Sequence, residues 1–177
     1  DPDWVAEWGE RGAAEWAADW SRRAKAHWLD WSRSRFTDAD GEDNFHQLTR
    51  LMFDSEWQSG SACAVPMWKA RAGTPYRTCI KVVESDRLSN PAGKPESYRL
   101  SGGVERREDG EIVAYHLRSG HPGEVGLRRG AHRWTRIAAR HSWGRPRFIH
   151  LYRKTRPGQS RGVSAVSSVL AAFGLHG

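Results

Sequence analysis

Apolar residues recur at three- and four-residue steps in the first sixty positions and alternate in twos over much of the remaining chain. Across residues 13–33, "AAEWAADWSRRAKAHWLDWSR", the positions Trp16, Trp20, Ala24, His27 or Trp28, and Trp31 form one stripe, which predicts a helix. Each aromatic in such a stripe removes on the order of 150–250 Å² from water when covered. The stripe either packs on the body of the domain or docks on a neighbouring subunit, and the pattern leaves both open. The polar run "TDADGEDN" comes next, turning around Gly41, with Asp43 or Asn44 placed to cap the next helix. That helix is predicted over 45–58, with Phe45, Leu48, Met52 and Leu51 as its inner face.

After Gly60 the period changes to two. "ACAVPMWKA" (62–70) and "RTCIKVVES" (77–85) read as strands flanking a hairpin-like "RAGTPY", with Pro66 pushing the first towards a sheet edge or a bulge. "YRLSGGVERRE" (98–108) and "EIVAYHLRS" (111–119) flank Asp109-Gly110, a two-residue hairpin signal. That turn predicts Val104 opposite Tyr115, Arg106 opposite Val113 and Gly102 opposite Leu117. Val104, Val113, Tyr115 and Leu117 then share a buried face, while Glu105, Arg107 and His116 lie on the other. "RWTRIAAR" (133–140) and "RFIHLYR" (147–153) read as further strands separated by Trp143-Gly144, and Pro157-Gly158 reads as a turn. Val163, Val166, Val169, Leu170 and Phe173 mark an amphipathic helix starting near Ser160, capped by Ser160 or Ser164 and stopped at Gly174.

The order is N-terminal helices, a mostly antiparallel set of hairpins, and a C-terminal helix, an α+β arrangement. It divides into a helical segment 1–60, a β-rich region 61–159 and a closing helix 160–177. The chain of 177 residues fits one domain of ordinary size or one with an extension. It opens at Asp1 without a methionine, which suggests a piece of a longer product. The longest uncharged, partly apolar run, 162–174, is too short and serine-rich to span a bilayer. No secretory signal is present, and Cys63 and Cys79 supply neither a disulfide framework nor a zinc spacing, so synthesis in the cytoplasm is the simplest reading.

Charge sharpens the picture. The net charge is +7, but residues 1–60 carry 13 acidic side chains against 7 basic ones, whereas 118–161 carry 12 basic side chains against Glu124 alone. A basic strip of that kind suits a polyanion or an acidic protein surface. An arginine-rich, alanine- and glycine-rich composition also arises in GC-rich genomes without selection for binding.

Candidate chemistry is sparse. His116, His121, His132, His141 and His150 show no compact ligand spacing, and the basic half lacks the carboxylates a divalent-metal nuclease needs. Glu84 and Asp86 form an acidic pair at a strand end, more suited to a turn or to Arg87 than to a metal. "DADGED" resembles part of a calcium loop but lacks the glutamate at its twelfth position, where Thr49 stands. Acyl-transfer and nucleotide-binding motifs are missing. The residues themselves lead to a basic α+β module for binding or assembly, with no catalytic residue, metal or cofactor.

Three stretches carry a resemblance. "VVESDRLSNP" (82–91), "GGVERREDGEIVAYHLRSGHPGE" (102–124) and "FIHLYRKTRPGQSRGVSAVSSVL" (148–170) resemble, in order and spacing, successive segments of the lambda-type tailed-phage portal protein family. "DADGEDNFHQLTRLMFDSEWQSGSA" is similar, more loosely, to the preceding helix. The resemblance covers roughly residues 15–173. The chain departs from the pattern at Gln58-Ser59-Gly60-Ser61, where the family usually has an acidic Asp-Gly-Glu, and its tryptophan-rich front is extreme.

The resemblance implies a structural subunit of the outer, wing-like region of a ring, typically of twelve copies, at one vertex of a phage head. Such rings pass double-stranded DNA without sequence preference and meet the large terminase, the major capsid protein, and head-completion or tail-connector proteins. It implies no catalytic site, cofactor or membrane, assembly in the bacterial host cytoplasm, and residence in the virion. Tunnel, clip and crown segments would follow Gly177. The contact candidates, with other subunits first and DNA second, are Arg153, Lys154, Arg156, Arg161, Arg128 and Arg129, and the structural turns are Asp109-Gly110 and Pro157-Gly158. The alternatives are a small basic nucleic-acid-binding module and a metal-dependent nuclease built on the histidines with Glu84 and Asp86.

Overall fold

A computed structural model of the chain describes residues 2–92, 94–123 and 133–167. Helix α1 (Pro2–Arg33) is interrupted at Gly9, whose φ of 70° breaks the helical path. Helix α2 (Phe45–Ser59) begins at a capping box. The Asn44 side chain accepts from the Gln47 N–H, the Gln47 side chain accepts from the Asn44 N–H, and Gly60 closes the helix in the left-handed region at φ 81°. Both ends therefore satisfy backbone groups that a helix leaves free. Leu48 faces the interior, whereas Leu51, expected there, is half exposed.

Two antiparallel sheets come after the helices. The first has the order β2-β1-β7, from β1 (Ala62–Trp68), β2 (Thr78–Val83) and β7 (Ile149–Leu151). The second has the order β3-β4-β5-β6, from β3 (Leu100–Ser101), β4 (Val104–Arg106), β5 (Ile112–Arg118) and β6 (Trp134–Ala138). Strand β1 is central, but β7 covers only Ala62, Cys63 and Ala64. Pro66 pairs with Ile80 on the β2 side, and β7 stops short of it on the other, so its missing N–H falls where β1 is an edge.

The hairpin after residue 100 departs from the expected register in two ways. Gly102 and Gly103 adopt φ of 57° and 81° and form a turn of their own, so the predicted single strand 98–108 is split into β3 and β4, and Gly102 does not oppose Leu117. Val104 does oppose Tyr115, but a bulge then shifts the ladder so that Arg106 opposes Ile112 rather than Val113. The bulge sends Ile112 to the core in place of Val113. The place of β4 opposite Leu117 is taken by Leu88, which bridges to it from the turn after β2.

The core lies where the two sheets meet. Cys63 and Val83 from the first sheet pack with Leu88, Val104, Tyr115, Leu117 and Phe148. Tyr115 and Phe148 stack with ring centroids 4.5 Å apart, which ties the sheets together. Helix α1 meets this body through its last turns: Trp28 and Trp31 cluster with Phe45, and Trp31 Nε1 donates to the Thr78 carbonyl of β2 at 2.8 Å. Trp16 and Trp20 stack on each other farther out, 42% and 55% exposed. At the C-terminal end residues 160–166 are not helical, so the helix does not start near Ser160. The Ser164 hydroxyl accepts from the Val166 N–H, and Leu170, Phe173 and Gly174 lie outside the described residues.

Candidate functional site

The stretch after β7 is built around one buried side chain. Gln159, 4% exposed, accepts at Oε1 from the N–H groups of Thr155 (2.8 Å) and Arg156 (3.3 Å), and donates from Nε2 to the Arg161 carbonyl at 2.7 Å. Its own carbonyl accepts from the Tyr152 hydroxyl and from Arg106. A single amide thus folds residues 155–161 into a loop, and Gly158 at φ 72° completes the turn after Pro157. Gln159 lay within the sequence motif, but its role depends on a fold no local pattern reveals.

The four cations of this stretch divide into two sets. Arg153, Lys154 and Arg156 are exposed, and their side chains make no hydrogen bond or ion pair among the described residues. Arg161 turns inward. Its guanidinium donates to the Ser85 carbonyl at 3.0 Å, the Leu88 carbonyl at 2.5 Å, the Gly102 carbonyl at 3.4 Å and the Ser61 hydroxyl at 3.3 Å. Arginine's planar fork suits such a cage, and a lysine could not span it. Arg161 therefore joins the start of β1, the turn after β2 and the Gly102-Gly103 turn, whereas sequence pattern grouped it with the exposed cations. Arg128 and Arg129 lie outside the described residues.

Backbone contacts reinforce this junction. A Cβ on Gly162 would stand 1.7 Å from the Gly60 carbonyl oxygen, and one on Gly103 would stand 2.5 Å from the Ser89 nitrogen. The Asn90 side chain accepts from the Gly103 N–H at 2.8 Å. The unusual stretch 58–61 takes part directly: the Ser59 hydroxyl meets that of Ser85 at 2.8 Å, and the Ser61 hydroxyl accepts from both Arg161 and the Gly162 N–H.

The titratable groups nearby hold structure. His150 lies between Tyr115 and Tyr152, both ring nitrogens buried without a partner among the described residues. Burial pushes its pKa down, with Arg161 and Arg106 adding to the effect, to about 4. On the face of the second sheet opposite Tyr115, Glu105 accepts from Arg136 (2.8 Å) and pairs with the buried His116 (2.8 Å). The Arg136 bond lowers the Glu105 pKa and burial opposes it. With the His116 bond the result is about 2. Asp38 in the 38–43 loop accepts from the N–H groups of Asp40, Glu42 and Asp43. Burial raises its pKa, but these bonds and Arg71 outweigh that and leave it lowered. Asp38 thus organises a loop by itself. Asp86 meets His121 at 3.5 Å, and Glu84 precedes the turn at Ser85–Arg87. Among the described residues no group of three or more His, Cys, Asp or Glu side chains is placed to hold a metal, and no helix is long and apolar enough to cross a membrane.

The three segments that meet at Arg161 are those whose sequences carried the resemblance. The match extends well beyond them: residues 4–174 fit the family described as phage portal protein, lambda family. The chain belongs to the lambda family of phage portal proteins. That family is a structural one, and membership supports a structural phage portal role. It is 29% identical over 134 residues, 75% of its length, to the portal protein of Escherichia phage N15, and 29% identical over 104 residues, 58% of its length, to portal protein B of Escherichia phage lambda. The chain spans 24% of the first relative and 19% of the second.

Proposed function

We propose that the chain forms part of the wing-like region of a portal ring subunit, at the capsid vertex where double-stranded DNA enters and leaves. The observation that carries this is the joint at Arg161. Three family-like segments, distant in sequence, are locked by one guanidinium into a rigid body, as a scaffold in a ring under load requires. The ring, typically of twelve copies, would meet the large terminase, the major capsid protein and head-completion or tail-connector proteins, and would contact DNA without sequence preference. The chain would act structurally in the virion after assembly in the host cytoplasm, with no catalytic step.

Ring contacts of one protein with itself are heterologous, so two different patches of the subunit must match. The exposed cations Arg153, Lys154 and Arg156 are the subunit contact in this reading, and packaged DNA is their second candidate partner. Arg161 serves by holding the loop in place. Arg128 and Arg129 extend the same basic strip in sequence. Sedimentation velocity of the full-length gene product tests the proposal: one large closed species supports it, and a population of monomers and dimers at micromolar concentration overturns it.

A further inference from the structure

The three-stranded sheet carries opposite charge beside its two edges. Next to β2 runs the 38–43 loop, where Asp38 bridges to Ile80 and the Ala39 N–H donates to the Ile80 carbonyl at 2.9 Å. On the far side of β1, strand β7 leads into the basic loop held by Gln159. The acidic loop is fixed by the three N–H bonds to Asp38, by Arg71 on the carbonyls of Phe36 and Asp38, and by the Asn44 cap. Within it Lys81 neutralises Asp40 at 2.9 Å. The carboxylates of Glu42 and Asp43 have no ion pair among the described residues.

The basic loop borders a cleft of about 420 Å³. Arg106, Lys154 and Arg156 supply three cations to its lining, and Ser97, Ser101 and Ser160 supply hydroxyls. Among the described residues no carboxylate lines it. The Arg106 Nη atoms are used on the carbonyls of Gly110 and Gln159, while its Nε is buried without a partner among the described residues. A carboxylate entering this cleft finds three cations and three hydroxyls and no competing carboxylate among the described residues; Lys154 and Arg156, unpaired before binding, are ordered by the contact.

Resting on the ring reading, we propose that the Glu42-Asp43 tip of one subunit seats in the Arg106, Lys154 and Arg156 cleft of the next. Three observations favour this occupant over a DNA backbone. The acidic tip and the cleft belong to one chain, which is what a head-to-tail ring requires. The tip lies beside β2, whereas the cleft is formed by the β3-β4 region and the loop after β7, so the two patches are separate and one repeated placement engages both in every copy. The site is a concave pocket with few cations, which fits a short pair of carboxylates. A duplex presents one charge per ~1.7 Å and is held by longer tracks of cations.

The test uses the full-length protein in two forms, one bearing Glu42→Lys with Asp43→Lys and the other Lys154→Glu with Arg156→Glu. Each form alone places like charges across every interface. We expect ring assembly, read by sedimentation velocity, to require at least tenfold higher protein concentration for either form. Mixed in equal amounts, the two forms can alternate, because every interface then pairs opposite charges. Recovery of wild-type assembly in the mixture supports the contact and shows that both forms are folded. Assembly of either form alone at wild-type concentration overturns it, as does a mixture that fails to recover. Normal rings of the Lys154→Glu, Arg156→Glu form that package DNA poorly would assign the cleft to DNA instead. Absence of rings in the wild-type protein would sink the ring reading itself.

Discussion

Gly60 and Gly162 lie backbone to backbone: a Cβ built on Gly162 would stand 1.7 Å from the Gly60 carbonyl oxygen and 2.7 Å from its carbonyl carbon. The contact places the last described segment against the end of α2, where the Ala165 N–H also donates to the Trp57 carbonyl at 3.1 Å. The segment is thus tied to the sheet junction through two glycines and one arginine.

Gly162→Ala forces backbone apart, because the obstacle is a main-chain carbonyl and not the end of a flexible side chain. Overpacking of this kind costs ~1–3 kcal/mol, and here the upper end is expected. Thermal unfolding of the variant should show a transition lowered by several degrees, with the 160–167 segment losing amide protection first.

Removing the Arg161 guanidinium strands three carbonyls at once. At ~1.5–3 kcal/mol for each charge-assisted hydrogen bond, Arg161→Ala should cost on the order of 3 kcal/mol or more. Arg161→Lys keeps the charge but not the fork, and should recover less than half of that loss. Urea melts of the three proteins check the order wild type, lysine, alanine.

Leu88 is 1% exposed and packs where the two sheets meet. Leu88→Ala removes its contacts with the core and is expected to cost ~2–5 kcal/mol. The loop variant Lys154→Ala with Arg156→Ala touches only exposed side chains and should leave the melting temperature unchanged within about a degree. That comparison separates residues that hold the fold from those offered to a partner.

Acid should destabilise the protein in two steps. His150 has its pKa depressed to about 4 from the ordinary value of 6.5. Between those values the unfolded chain takes up a proton that the folded one refuses, so stability is full above pH ~6.5 and falls as pH drops towards ~4. Glu105 is depressed to about 2 from 4.5, so its contribution is present above pH ~4.5 and is lost as pH falls towards ~2. Melting temperature against pH should lose its slope between 6.5 and 4 in His150→Phe and keep its slope below 4.5.

Much of this fold was legible because its signals are local. Asn44 caps α2 as its side-chain type predicts, Val104 opposes Tyr115 as expected although the bulge shifts the pairing nearer the turn, and the family-like segments keep their order. What escaped the sequence depends on distant partners. Two adjacent glycines within an otherwise strand-like run read equally well as strand or turn, and only the proximity of Leu88, Ser89 and Arg161 explains the turn. Arg161 looks like its neighbours Arg153 and Arg156 along the chain, and it becomes an internal clamp only because Ser61, Ser85, Leu88 and Gly102 are brought around it. Gln159 shows the same limit, since an amide's partners are set by the folded loop.

Electron microscopy of the full-length gene product measures the ring most directly. Closed rings with a central channel are predicted, typically of twelve copies, with residues 61–159 in the outer wing and the 153–156 loop at the boundary between neighbours. Discrete monomers or dimers without a channel would contradict the portal-ring role.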